Sequence, residues 1–258
     1  MIEIDKIYNE DCLEGMKRIA DGAVDCIITD LPYGTTRNPW DSVIPLDQLW
    51  EQFKRVTKDK SAIVLFCQQP FTSALIMSNP TMFKYEWIWE KDMGTGHLNS
   101  KFAPLKIHEN IAVFSKSAAC FVKNKDDAMT YNPQWTKGRP YKSMNGNLGK
   151  GNYDNTWDNP QMTIQDGEHY FPKDIVKFNR DKGESDHPTQ KPVDLLRYLI
   201  LTYSNEGDTI LDATIGSGTT AVAALMEKRH FIGFETNKEY FDIAQGRIDQ
   251  VLRNPTLF

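Results

Sequence analysis

Four consecutive residues, Asp30, Leu31, Pro32 and Tyr33, end the apolar run VDCIIT and set an acid, a stiffened backbone and a flat ring side by side. Alone, they suit a plain strand-to-turn junction, because proline fixes φ and the following glycine permits a tight turn. They also offer a hydrogen-bond acceptor and a stacking surface at one point of the chain. A second constellation lies far downstream. The stretch TILDATIGSGTTAVAALMEKRHFIGFE, residues 209–235, reads as strand, glycine-containing turn, helix, strand and acid. Gly216 and Gly218 would let the backbone approach a ligand at a helix N-terminus, and Glu235 would accept hydrogen bonds from a ribose diol. Ala221 stands where a dinucleotide fingerprint has its third glycine, and there is no P-loop Gly-Lys-Ser/Thr. A nucleoside without a polyphosphate is the better fit.

The elements that must position these groups follow from alternation. KIYNEDC, LEGMKRIA, VDCIITD, LDQLWEQFKRVTK and SAIVLFC alternate strand-like and helix-like runs, which argues for a parallel sheet with crossover helices. EWIWEK and NIAVFSK add two strands. From about 117 to 186 the chain turns rich in Asn, Gly, Lys, Trp and Tyr without a sustained period, and this predicts a loop-rich insertion. Tyr131, Trp135, Tyr141, Tyr153 and Trp157 give it more aromatic surface than a solvated linker carries. The pattern then resumes with the helix PVDLLRYLILTYS, the strands and helix of 209–235 and a closing helix KEYFDIAQGRIDQVL. The expected organisation is one α/β domain made of 1–116 and 187–258, interrupted by 117–186.

The chain has 258 residues, 40% of them apolar, ample for one core with a smaller inserted module. Its longest apolar runs, such as AIVLF, fall far short of the ~20 residues a membrane span needs. The start MIEIDKIYNED lacks an export-signal pattern, so a cytoplasmic location is expected. Cys12, Cys26, Cys67 and Cys120 show no C-x-x-C spacing, against zinc and against a disulfide framework. Net charge is −5, but Lys123 to Lys150 holds six basic residues against two acidic ones, a local excess suited to phosphates.

Three motifs carry a resemblance. DLPY at 30–33, HPTQKP at 187–192 and LDATIGSGTT at 211–220 resemble motifs IV, X and I of S-adenosylmethionine-dependent DNA amino-methyltransferases. Their order, catalytic tetrad first and cofactor motif last, resembles the β class. Glutamine methyltransferases carry a related tetrad, but there the glycine motif comes first. The likeness covers nearly the whole chain outside 117–180. Two departures stand out: Leu31 occupies a position usually held by Pro, and Ala213 and Thr214 follow the motif I acid where Pro-Phe or Pro-Cys pairs are usual.

What the resemblance implies is a Rossmann-like doubly wound methyltransferase sheet of seven strands, mostly parallel with one antiparallel strand, and target recognition in the insertion. Asp30, Leu31, Pro32 and Tyr33 become the catalytic tetrad. Asp30 and the Leu31 carbonyl would accept hydrogen bonds from an exocyclic amine whose lone pair is otherwise delocalised, and Tyr33 would stack on a base extruded from the helix. Asp212, Ala213, Thr214, Gly216, Ser217, Gly218, Thr219 and Thr220 would line the methionine end of S-adenosylmethionine, and Glu235, with Asn237 beside it, the ribose. Asp11 and Cys12 would contact the cofactor adenine, and His187, Thr189 and Lys191 would close over it. No metal is implied.

The implied partner is double-stranded DNA. Trp135, Lys137, Arg139, Tyr141, Lys142 and Arg180 are the candidates for its phosphates and bases, Thr35 to Trp40 form a loop over the target, and a homodimer is typical of the class. Asp at the first tetrad position resembles adenine-N6 enzymes, whereas cytosine-N4 members more often begin with Ser. The alternatives are cytosine-N4 transfer and a DNA-binding protein with a retired site. An NAD-dependent oxidoreductase is disfavoured by the incomplete glycine fingerprint.

Overall fold

A computed structural model describes residues 2–34, 42–120, 125–144, 162–180 and 190–253. It divides into two compact units, one of Met1–Asn132 with Asp174–Phe258 and the other of Pro133–Lys173. In chain order the first unit holds β1 (Lys6–Tyr8), α1 (Cys12–Met16), β2 (Val24–Asp30), α2 (Leu46–Val56), β3 (Thr57–Cys67), α3 (Phe71–Ser78), β4 (Phe83–Thr95) and β5 (Lys106–Phe114). The second unit contributes β6 (Tyr141–Met144) and β7 (Met162–Gln165). The first unit then continues with β8 (Ile175–Lys177), α4 (Val193–Tyr203), β9 (Thr209–Asp212), α5 (Thr219–Met226), β10 (His230–Phe234) and α6 (Lys238–Arg253).

Eight strands form the main sheet in the order β1-β10-β9-β2-β3-β5-β4-β8. All neighbours are parallel except where β5 runs against β3 and β4, so β5 is the one reversed strand, as expected. The strand beyond the expected seven is β8, whose Ile175 and Val176 pair with Ile88 and Trp89 of the outer strand. Strands buried on both faces read as continuous apolar runs, and β2 and the AIVLFC part of β3 do so because helices cover each side.

Alternation along the strands sorts the core. Cys26, Ile28, Val64, Phe66 and Val113 point to one face, where Leu195 and Leu199 of α4, Ala221 and Ala224 of α5 and Ile248 of α6 pack on them. Ile27, Ile63, Leu65 and Phe114 point to the other, under Met16 of α1, Leu49 and Phe53 of α2 and Leu75 of α3. This is a doubly wound sheet, and its strand order reverses between β2 and β9, where ligands of such sheets bind. The compact unit within the expected insertion is narrower than 117–186. Met129 is buried in the first core, Asn132 N–H donates to Thr202 O, and 175–177 belong to the sheet. No helix among the described residues is long and apolar enough to cross a membrane.

Candidate active site

A cavity of about 620 Å³ opens at the carboxyl ends of β2, β9 and β10. Its walls include Asp11, Cys12, Asp30, Leu31, Pro32, Tyr33, Arg180, Lys191, Asp212, Ala213, Thr214, Gly216, Ser217, Thr219, Thr220 and Glu235. Residues nearly two hundred positions apart thus share one space because β2 and β9 are adjacent strands.

At one end is the turn after β9. Gly216 and Gly218 sit at φ +53° and +82°, a region that side chains with a Cβ adopt only with strain. A Cβ on Gly216 would meet nothing within 4 Å and would project into open space, whereas one on Gly218 would lie 2.9 Å from Ala244 Cβ. Gly218 is therefore a packing residue that lets α6 close on the start of α5, and it does not line the cavity. Glu235 accepts from Gly216 N at 3.0 Å through one carboxylate oxygen and from Asn237 N at 2.7 Å through the other. Burial nevertheless raises its pKa above the ordinary value. Asn237 also lies outside the cavity wall, and its side chain accepts from Glu239 and Tyr240 N–H at the start of α6. Behind the turn, Arg247 Nη1 donates to Ser217 O at 2.6 Å, a brace that no local pattern announces.

Asp212 is fully enclosed. Burial pushes its pKa up to about 6 against hydrogen bonds from Thr220, Thr29 and the Thr214 N–H, which favour the charged form. Asp11 lines the cavity and also caps α1, accepting from Leu13 N at 2.8 Å and Glu14 N at 3.2 Å. Cys12 is buried beside it, and its thiol is pushed to about 12 by burial.

The other end is the tetrad. Tyr33 Oη donates to Asp30 Oδ1 at 2.5 Å, and Lys191 Nζ donates to Asp30 Oδ2 at 2.5 Å. Each carboxylate oxygen keeps room for a further donor. The Tyr33 ring packs on Phe71 at 5.5 Å. Burial, then the charge of Asp30, holds the Tyr33 phenol well above the usual tyrosine range. The two ends are tied together: Thr214 Oγ1 donates to the main-chain carbonyl of Asp30 at 2.9 Å and lies 2.9 Å from Thr29 Oγ1. Thr214, where the family motif differs, supplies this tie.

Sequence reasoning missed the buried ion cluster behind Asp30. Lys191 Nζ also lies 3.2 Å from Glu109 Oε2, and Lys91 bonds the other oxygen of Glu109. Burial works against the charge of Lys191, but Asp30 and Glu109 outweigh it and raise its pKa above the ordinary lysine value. For Glu109, burial is likewise outweighed by Lys191 and Lys91, which lower its pKa. Lys191 Nζ also sits 5.2 Å from the centroid of Phe66.

The DNA candidates separate. Arg180 is on the first unit, donates to Asp92 at 3.2 Å and lines the cavity. The second unit carries the rest on exposed surface. Trp135 is half exposed, with its ring 4.6 Å from Phe171. Lys137 pairs with Glu168 at 2.8 Å, Tyr141 lies 6.1 Å from Tyr170, and Tyr170 donates to the Arg139 carbonyl. Lys142 is exposed in β6. His187, Thr189 and the 35–40 loop lie outside the described residues, as do Tyr153 and Trp157.

Known proteins resemble this chain along nearly its whole length. The type II methyltransferase M.HpaI of Haemophilus parainfluenzae is 30% identical over 257 residues, 95% of this chain and 74% of that protein. The DNA adenine methyltransferase YhdJ of Escherichia coli K12 is 28% identical over 265 residues, 96% of this chain and 83% of that protein. Among solved structures, the M1.HpyAVI-SAM complex superposes with a TM-score of 0.62 at 23% identity, covering 95% of this chain and 98% of that one. The cytosine-N4-specific PvuII DNA methyltransferase superposes at 0.65 with 13% identity, covering 96% and 91%, which shows a shared fold. Residues 24–246 match the DNA methylase family N6_N4_Mtase, and the chain belongs to that family.

Proposed function

We propose that this protein transfers the methyl group of S-adenosylmethionine to the exocyclic N6 amine of an adenine in double-stranded DNA, in the cytoplasm. The observation that carries it is one cavity with two chemically distinct ends, Glu235 and Gly216 at one and Asp30 at the other, joined by the Thr214 bond to the Asp30 carbonyl. The cofactor fits the donor set: Glu235 has acceptor capacity left for a diol, and Gly216 leaves space where any other residue would project. When bound, the cofactor supplies the electrophilic methyl group.

The chain's own residues do the rest. Asp30, with the Leu31 carbonyl and Pro32 to stiffen the turn, orients the amine and favours the positive charge that develops on its nitrogen. Lys191 is held as an ammonium, so it fixes Asp30 in place and takes no proton. Tyr33 fixes the other oxygen and presents its ring to the cavity. Asp212, Ala213, Ser217, Thr219, Thr220, Asp11 and Cys12 complete the cofactor wall, with Gly218 and Asn237 shaping it from outside. The second unit, with Trp135, Lys137, Arg139, Tyr141 and Lys142, is proposed as the target-reading part. We further propose a homodimer, on the resemblance alone, for sedimentation velocity to test.

Adenine is favoured over cytosine by Asp at the head of the tetrad, and a 28% identical relative named as an adenine methyltransferase agrees. The test is transfer from labelled S-adenosylmethionine to unmethylated plasmid DNA, followed by nucleoside digestion and mass identification. N6-methyladenine is expected. N4-methylcytosine would overturn the base assignment, and no product would overturn the activity. Asp30→Ala should abolish transfer, by at least a thousandfold, while calorimetry still detects cofactor binding.

A further inference from the structure

The turn between β4 and β5 exposes large apolar side chains beside the active-site cavity. Leu98 is 98% exposed and Phe102 89% exposed. The turn is locally built: Gly96 at φ +91° starts it, Phe102 and Ala103 N–H both donate to Asn99 O at 2.9 Å, and Gly94 lets Leu105 close over its base. Its backbone is thus set by its own hydrogen bonds while its apolar groups face outward, an arrangement that burial in a core would otherwise remove. Its root belongs to the cavity, because Lys91 and Thr95 line that space and Lys106 Nζ donates to Gln68, another wall residue, at 2.6 Å.

Charge selects the occupant. Residues 93–108 contain Lys101, Lys106, His97 and His108 and no acid, and the flanking Glu90 and Asp92 are paired with Lys177 and Arg180. A second copy meeting this turn on a twofold axis would bring Lys101 towards its own copy, like charge near like, with no acid of the turn to answer it. A duplex meets the same surface with phosphates, and extrusion of a base opens a gap in its stack that apolar side chains fill.

We propose that this turn is a DNA wedge: Phe102 and Leu98 pack against the base step next to the extruded adenine, and Lys101 contacts a flanking phosphate. The inference rests on the proposed DNA methylation and names the part of the first unit that engages the duplex. The site methylated by the wild-type protein in plasmid DNA would be read by sequencing and placed in two synthetic duplexes. In one the target adenine faces thymine, and in the other it faces an abasic position. Leu98→Ala/Phe102→Ala should lower transfer to the paired duplex at least tenfold and to the abasic duplex by less than threefold, with cofactor binding unchanged. Lys101→Glu should weaken binding of both duplexes and flatten its salt dependence.

Equal activity of the double variant and wild type on the paired duplex would overturn the wedge and leave the methylation reading intact. Conversion of a wild-type dimer to monomers by the double variant would assign the turn to self-association and overturn it too. If the wild type methylates no DNA, gel shift of the plasmid fragment decides: binding lost in the double variant keeps the wedge, and no binding by the wild type overturns it.

Discussion

Lys191→Met removes the charge that separates two buried carboxylates and keeps the length of the side chain. The contacts of 2.5 and 3.2 Å from Lys191 Nζ put Asp30 Oδ2 and Glu109 Oε2 no more than about 6 Å apart. At an effective dielectric of ~20, two like charges at that separation repel by about 3 kcal/mol, equivalent to about two pKa units. That agrees with the ~3–5 kcal/mol commonly lost when a buried pair is broken. The pair should relieve the repulsion by sharing a proton, so that in the variant it binds one at a higher pH than the unfolded chain does. A carboxylate whose folded pKa is raised is not destabilising below the unfolded pKa, and its cost appears as pH rises through the folded one. Urea unfolding should therefore show the variant weaker by about 3 kcal/mol at pH 8, with the gap narrowing as pH falls to 4. Single-turnover transfer at saturating cofactor should fall in the variant, since Asp30 loses the ammonium that holds one of its oxygens in place. A loss of stability that is the same at both pH values, or none at either, would refute the cluster's role.

Asp212→Asn should stabilise the ligand-free protein. Its carboxyl is raised by burial to about 6, so ionisation at pH 7.5 costs about 3 kcal/mol, and the gain in unfolding free energy should shrink to nothing at pH 4. Gly216→Ala and Gly218→Ala should part company in melting and calorimetry. The first should lose cofactor affinity at a stability cost of about 1 kcal/mol, while the second, whose Cβ would press on Ala244, should lose about 2–3 kcal/mol. Glu235→Ala should weaken cofactor binding by about a hundredfold, since the proposed ribose acceptor goes and the Gly216 and Asn237 N–H groups lose their shared partner.

Much of the frame was legible because period and punctuation agreed. The strands VDCIITD, TILD and HFIGF and the helices α2, α4, α5 and α6 carry strong apolar patterns, and the reversed strand followed from the resemblance. The first residues of β3 did not, because TKDK is polar and continues the helical run of α2, although those residues form strand. The helix α3, FTSALIMS, is too short and too uniformly apolar to show a helical face. Of the site, Asp30, Gly216 and Glu235 were marked by motifs at strand ends. Glu109 was not: within HENIAVF it reads as a charged residue at a strand start, and only Lys91 and Lys191, brought from elsewhere in the chain, show that it is buried. Arg247 was silent for another reason: it lies at the edge of the α6 face that carries Ala244, Ile248 and Val251, where a long basic side chain reads as one that reaches out to water. Gly218 packs closely on Ala244 and the Asn237 side chain accepts at the start of α6, contacts that the sequence alone did not disclose.

The neighbourhood of β2 and β9 also sets a schedule for synthesis. Asp25 reaches the backbone of Thr209 across 184 residues of chain. At about 5–20 residues per second, the ribosome needs roughly 10–40 s after β2 emerges to deliver its partner. During that interval β2, β3, β5 and β4 can already pair, and VDCIIT stands as an apolar edge open to any passing strand. Chains that stall or are cut before about residue 209 keep that edge indefinitely, and the cell is left with an aggregation seed rather than a slow enzyme.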